Sequence, residues 1–125
     1  AYRNKKDFDN AVAAYNALGY SLADRKQRLE EAGALIDKAL TMAPDDAAIL
    51  DSKGWVNYRR GDLPGAVDML QKALAARPDP EIGAHLGEVL WQMGRKSEAD
   101  KVWEESLKLA PDNEVLNKTI KRLRP

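Results

Sequence analysis

Apolar residues along this chain return at intervals of three and four, and almost nowhere at intervals of two. Val12, Tyr15, Leu18 and Leu22 share one helical face, and Leu29, Ala32, Ile36, Ala39 and Leu40 form a second stripe. That spacing belongs to amphipathic helices; runs of β-branched residues that would read as strands are absent. Proline and glycine fall between the stripes. Pro44-Asp45-Asp46 stops one helix and offers a carboxylate cap to the next, and Asp79-Pro80-Glu81 combines a cap, a first-turn proline and an acid at the positive helix end. Gly61 and Gly94 fall where a tight turn must separate two antiparallel helices, and Pro64 sits in the first turn of the helix after Gly61. The pattern predicts seven helices, near residues 11–24, 28–42, 46–60, 63–76, 80–93, 96–109 and 112–123, with residues 1–8 a frayed remnant of a preceding segment.

The stripes also repeat. Leu18-Gly19-Tyr20 returns as Lys53-Gly54-Trp55 and as Leu86-Gly87-Glu88. Ala32, Ile36, Ala39 and Pro44 return as Ala66, Leu70, Ala73 and Pro78, and again as Ala99, Trp103, Ser106 and Pro111, at spacings of 34 and then 33 residues. Self-similarity at this period means stacked units, none of which can bury its apolar face alone. In the last helix Leu116, Ile120 and Leu123 make one apolar stripe, while Asn117, Lys118, Lys121 and Arg122 are expected to face away; this is the pattern of a cap covering the end of a stack.

These phrases resemble the tetratricopeptide repeat, a helix–turn–helix unit with small residues where its two helices touch. One copy carries Tyr15, Leu18, Gly19, Leu22, Ala32, Ile36, Ala39 and Pro44, with one extra residue in its turn. The next carries Leu50, Gly54, Gly61, Ala66, Leu70, Ala73 and Pro78, and the third Leu86, Gly87, Leu90, Gly94, Ala99, Trp103 and Pro111. The resemblance implies an all-α, right-handed solenoid of three repeats plus a C-terminal capping helix: a remnant at 1–10, repeats at 11–45, 46–79 and 80–111, and the cap at 112–125. Lys53 and Asn57 depart from the motif, which wants Leu and a Tyr-like residue there. Lys53 either snorkels past its apolar stem, with Asn57 on a backbone partner, or the two make a deliberate polar seam.

The runs Asn16–Arg25, Ile49–Val56 and Ala84–Trp91 are further similar to proteobacterial envelope repeat lipoproteins, some of which act as adaptors for a carboxyl-terminal processing protease. This similarity implies a C-terminal piece of such an adaptor, in the periplasm or at the inner face of the outer membrane, with the cytoplasm as the alternative. The abrupt start at Ala1-Tyr2-Arg3 reads as a cut from a longer protein.

Composition narrows the functions. Twenty basic and twenty acidic residues leave no net charge, which argues against a nucleic-acid backbone as partner. Without cysteine there is no disulfide or thiolate metal site, and no apolar run approaches a membrane span. His85 is the only histidine, which excludes a histidine metal cluster and a Ser-His-Asp triad; it is expected at a repeat junction with one hydrogen bond. Glu30-Glu31 and Glu104-Glu105 are helix neighbours that point apart, and no phosphate-binding glycine loop occurs. We therefore expect no enzyme, no metal and no cofactor, but a module that binds a protein or peptide.

In the family the first helix of each repeat lines a concave surface. Its ligand-facing positions, carried over, fall on Asn16, Tyr20 and Asp24, on Asp51, Trp55, Tyr58 and Arg59, and on Glu81, Glu88, Trp91 and Gln92. Trp, Tyr and Arg are the usual anchors of an interface, so Asn16, Tyr20, Asp51, Trp55, Tyr58, Arg59, Glu88, Trp91 and Gln92 are the expected partner-binding residues. Asp51 and Glu88 should repel a terminal carboxylate and favour an extended or helical segment with apolar and basic side chains. The competing expectation is a spacer or self-assembly segment that uses the convex face or the ends, with the apolar start at residues 1–12 as the point of self-association.

Overall fold

A computed structural model describes residues 2–125; Ala1 lies outside the described residues. Seven helices follow one another: α1 Lys5–Asp24, α2 Leu29–Met42, α3 Ala47–Arg59, α4 Leu63–Ala76, α5 Pro80–Gln92, α6 Lys96–Leu109 and α7 Glu114–Leu123. Each odd helix through α5 pairs with the even helix after it, and every pair packs on the next, which makes a helical solenoid.

The first helix corrects the expectation of a frayed start. It begins at Lys5, because the Asn4 side chain caps it by accepting from the Asp7 N–H and the pairs Arg3–Asp7 and Lys5–Asp9 brace its first turns. Phe8, half-buried, adds an apolar turn to the same stripe as Val12. Of four further side-chain caps, those of Asp46 and Asp79 are the expected ones and those of Asp62 and Asn113 add to them. Asp46 accepts from Ile49 N, Asp62 from Gly65 N, Asp79 from Glu81 N and Ile82 N, and Asn113 from Leu116 N.

Turn chemistry separates the first hairpin from the others. Gly61 and Gly94 take φ of 90° and 80°, the left-handed region that favours glycine. The longer α1–α2 turn places Lys26 and Arg28 there instead, at 55° and 50°. Arg28 is also the N-cap of α2 and supplies no side-chain cap bond.

Within each hairpin a glycine lets a large residue approach. Gly19 faces Ile36, Gly54 faces Leu70 and Gly87 faces Trp103. A Cβ at Gly87 would stand 1.9 Å from the Trp103 Nε1, so only glycine leaves room for the indole. Two contiguous apolar clusters result. One centres on Ile36, Ile49 and Val56, the other on Leu70, Val89, Trp103 and Leu116. Between them Lys53 extends past the seam and its Nζ reaches Asp37 Oδ1 at 2.7 Å, so a snorkelling lysine ties α3 back to α2.

The last helix corrects a second expectation. Besides covering the stack, α7 packs chiefly on the preceding odd helix α5 and only lightly on α6, whereas α5 itself packs more on α4 than on α3. Leu116 and Ile120 go into the core, while Val115, Thr119 and Arg122 line the surface shared by α1, α3 and α5. Arg122 thus turns inward to Glu88 rather than away, because a buried carboxylate lies within its reach.

Candidate protein-binding groove

The odd helices contribute one side of the solenoid, and two adjoining hollows lie on it. The larger, about 400 Å³, is lined by Tyr20 and Asp24 of α1, Trp55 and Arg59 of α3, His85 and Glu88 of α5, and Val115, Thr119 and Arg122 of α7. The smaller, about 250 Å³, lies toward the helix N-termini, between Asn16, Tyr20, Asp51, Ser52, Glu81 and His85. Tyr20 and His85 wall both, so the two form one groove.

His85 organises the middle of this groove. Its Nδ1 lies 2.8 Å from Asp51 Oδ1 and its Nε2 lies 3.3 Å from the Tyr20 hydroxyl. An ionised carboxylate only accepts, so Nδ1 carries the proton; in the neutral imidazole Nε2 then accepts from the Tyr20 O–H. The ring also stacks on Trp55, with centroids 4.2 Å apart. The expectation of one hydrogen bond at a junction is therefore too small: His85 joins α1, α3 and α5.

Trp55 forms the floor. It is 4% exposed, donates from Nε1 to Asp24 Oδ1 at 3.3 Å, and lies under the Arg59 guanidinium, 4.8 Å from the ring centroid. Arg59 also donates to the Asp24 carbonyl oxygen at 3.2 Å, holding the end of α1 against α3.

Glu88 is 5% exposed and would be a costly buried charge if unpaired. Two groups compensate it. Arg122 reaches Oε1 at 2.5 Å and the Tyr58 hydroxyl donates to Oε2 at 2.9 Å. Burial, then the charge of Glu88 and its hydrogen bond, push the Tyr58 phenol up to about 12. Tyr20 is likewise held well above the ordinary phenol range, by burial first and then by the carboxylates of Asp24, Asp51 and Glu81.

Seven of the nine expected residues meet in this groove or at its floor: Asn16, Tyr20, Asp51, Trp55, Tyr58, Arg59 and Glu88. Trp91 and Gln92 line neither hollow. Trp91 stacks on Trp103 at 5.6 Å beneath Lys96, on the α6 side, and Gln92 is an exposed residue at the end of α5. The sequence reading missed His85, Val115, Thr119 and Arg122 as lining residues. Counting α7 as one more odd helix at the repeat spacing would have found the last three.

Family models described as tetratricopeptide repeat match residues 1–47, 22–81 and 84–113. A TPR repeat-containing protein of Pseudomonas aeruginosa is 56% identical over 115 residues, 92% of this chain, and the chain spans 19% of the length of that relative. Among solved structures, a thermophilic TPR protein of Thermus thermophilus is similar with a TM-score of 0.76 at 25% identity, over 94% of this chain and 70% of that one. The Arabidopsis OM64 TPR domain gives 0.78 at 18% identity, covering 92% and 95%. The first TPR of Spaghetti (RPAP3), solved with an HSP90 peptide, gives 0.77 at 16% identity, covering 91% and 90%.

Proposed function

This chain belongs to the tetratricopeptide repeat family, and on that premise we propose that it is an adaptor segment that holds a partner protein's peptide in the groove along its odd helices. The fold is a scaffold for protein partners, and one structural relative was solved with a peptide bound. The observation that carries the reading is the continuous groove, where aromatic and charged side chains from four helices are already fixed by mutual hydrogen bonds. Such preorganisation lowers the ordering cost of binding. The envelope-adaptor role implied by the lipoprotein similarity is the corresponding proposal for the longer protein.

Site-specific photocrosslinking tests it. A photoreactive residue at Val115, which is 39% exposed in the groove, should give discrete adducts in a bacterial envelope extract. The same residue at Glu104, an exposed position of α6, should not. Adducts from Glu104 alone would transfer the function to the other face.

A second reading, assembly through the end of the stack, rests on Leu18. Its repeat equivalent Lys53 ion-pairs with Asp37 of the preceding even helix and its equivalent Leu86 is buried in the core, whereas Leu18 is 50% exposed. Concentration-dependent mass in sedimentation, abolished by Leu18→Glu, would support that reading.

A further inference from the structure

We propose that the smaller hollow of the groove is a subsite for one basic side chain of the bound segment, an arginine in preference to a lysine, held between Asp51 and Glu81. The inference rests on the groove being the binding face and adds the chemistry of what enters it.

The charges of the two hollows are unequal. In the larger one each acid has a cationic neighbour: Asp24 has Arg59 and Glu88 has Arg122. In the smaller one neither acid has a basic side chain beside it, and Glu81 stands exposed in the first turn of α5. Asp51 shares one oxygen with the His85 N–H, and among the described residues no lysine or arginine pairs with Asp51 or Glu81. Asp51 is 14% exposed, so its charge is poorly dispersed by water, and the same field contributes to holding the Tyr20 phenol protonated. The Asn16 amide oxygen, on the rim, is buried with no donor. A guanidinium entering here brings several N–H donors to a site rich in acceptors, and it can lie against the rings of Tyr20 and His85. Lysine offers one compact charge and no planar face, hence the preference. A free C-terminal carboxylate would meet two acids that no lysine or arginine pairs. The expectation against such a tail therefore stands on Asp51 and Glu81, not on Glu88, which Arg122 neutralises.

The test is a display selection of random dodecapeptides on the native chain, on the Asp51→Asn/Glu81→Gln variant, and on Val115→Arg, which obstructs the larger hollow. Asparagine at 51 keeps an acceptor for His85, and circular dichroism with a thermal melt checks that each variant is folded. The expected result is a position enriched in arginine in the native selection. Its peptides should lose about tenfold or more in affinity on the double variant, as loss of charged hydrogen bonds implies, and an arginine-to-citrulline replacement should lose as much on the native chain. Peptides sensitive to Val115→Arg but without a basic preference, or equally tight on the double variant, would overturn the subsite while leaving the groove as the binding face. Peptides indifferent to all three changes would overturn both.

Discussion

The interior of the α5–α6 hairpin and the groove between α1, α3 and α5 are built on opposite rules. Inside the hairpin Trp103 is fully buried against Gly87, and shape decides which residues fit. In the groove, Tyr20, Asp51, Trp55 and His85 are held by hydrogen bonds and ring stacking between residues 30 or more apart in sequence. The hairpin can vary little without loss of stability. The groove is held instead by polar and stacked pairs between helices, so its residues are fixed by partners across the stack rather than by shape within one hairpin.

Three substitutions inside the hairpins test this contrast. Trp103→Ala should remove about 3–5 kcal/mol of stability, by lost burial and the cavity left behind, measured by urea denaturation. Gly87→Ala should cost about 1–3 kcal/mol by overpacking. Gly54→Ala should cost less, because its Cβ would stand 2.7 Å from Leu70 Cγ, against 1.9 Å from the Trp103 Nε1 at Gly87. If the two glycine variants melt alike, the rigid indole is not what sets the fit.

In the groove the effects are smaller. Arg122→Ala should cost about 1 kcal/mol, because it strands the buried Glu88 while Arg122 itself is largely exposed. The Tyr58 phenol, raised to about 12, makes the folded state hold its proton more tightly than the unfolded chain does. Its contribution is therefore complete below the ordinary tyrosine value and lost as pH rises from about 10 to about 12. Tyr58→Phe should reduce that alkaline loss, read as the melting temperature against pH; an unchanged profile would remove Tyr58 as a source.

The smallest effect concerns the first turn. Lys26→Gly should stabilise by up to about 1 kcal/mol, since a lysine is held in the left-handed region, while Gly61→Ala should destabilise by a similar amount. Loss of stability in Lys26→Gly would show that the lysine side chain outweighs its backbone.

Periodicity placed seven helices and the close approach at the hairpin glycines, and residue type placed the caps at Asp46 and Asp79, because these depend on neighbours within a few residues or on a repeat of fixed length. The start at Lys5 was hidden because an asparagine cap ahead of a charged first turn carries little apolar signal. Seven residues of the groove were legible from their register, yet their roles were not. Trp55 reads as a projecting anchor and is a floor; Glu88 reads as a free acid and is neutralised. His85 reads as a junction residue and joins three helices. Those outcomes depend on which side chains meet after α1, α3, α5 and α7 stack. A repeat period fixes each helix face but not the partners across the groove, and burial and pairing of charge are decided only when the faces come together.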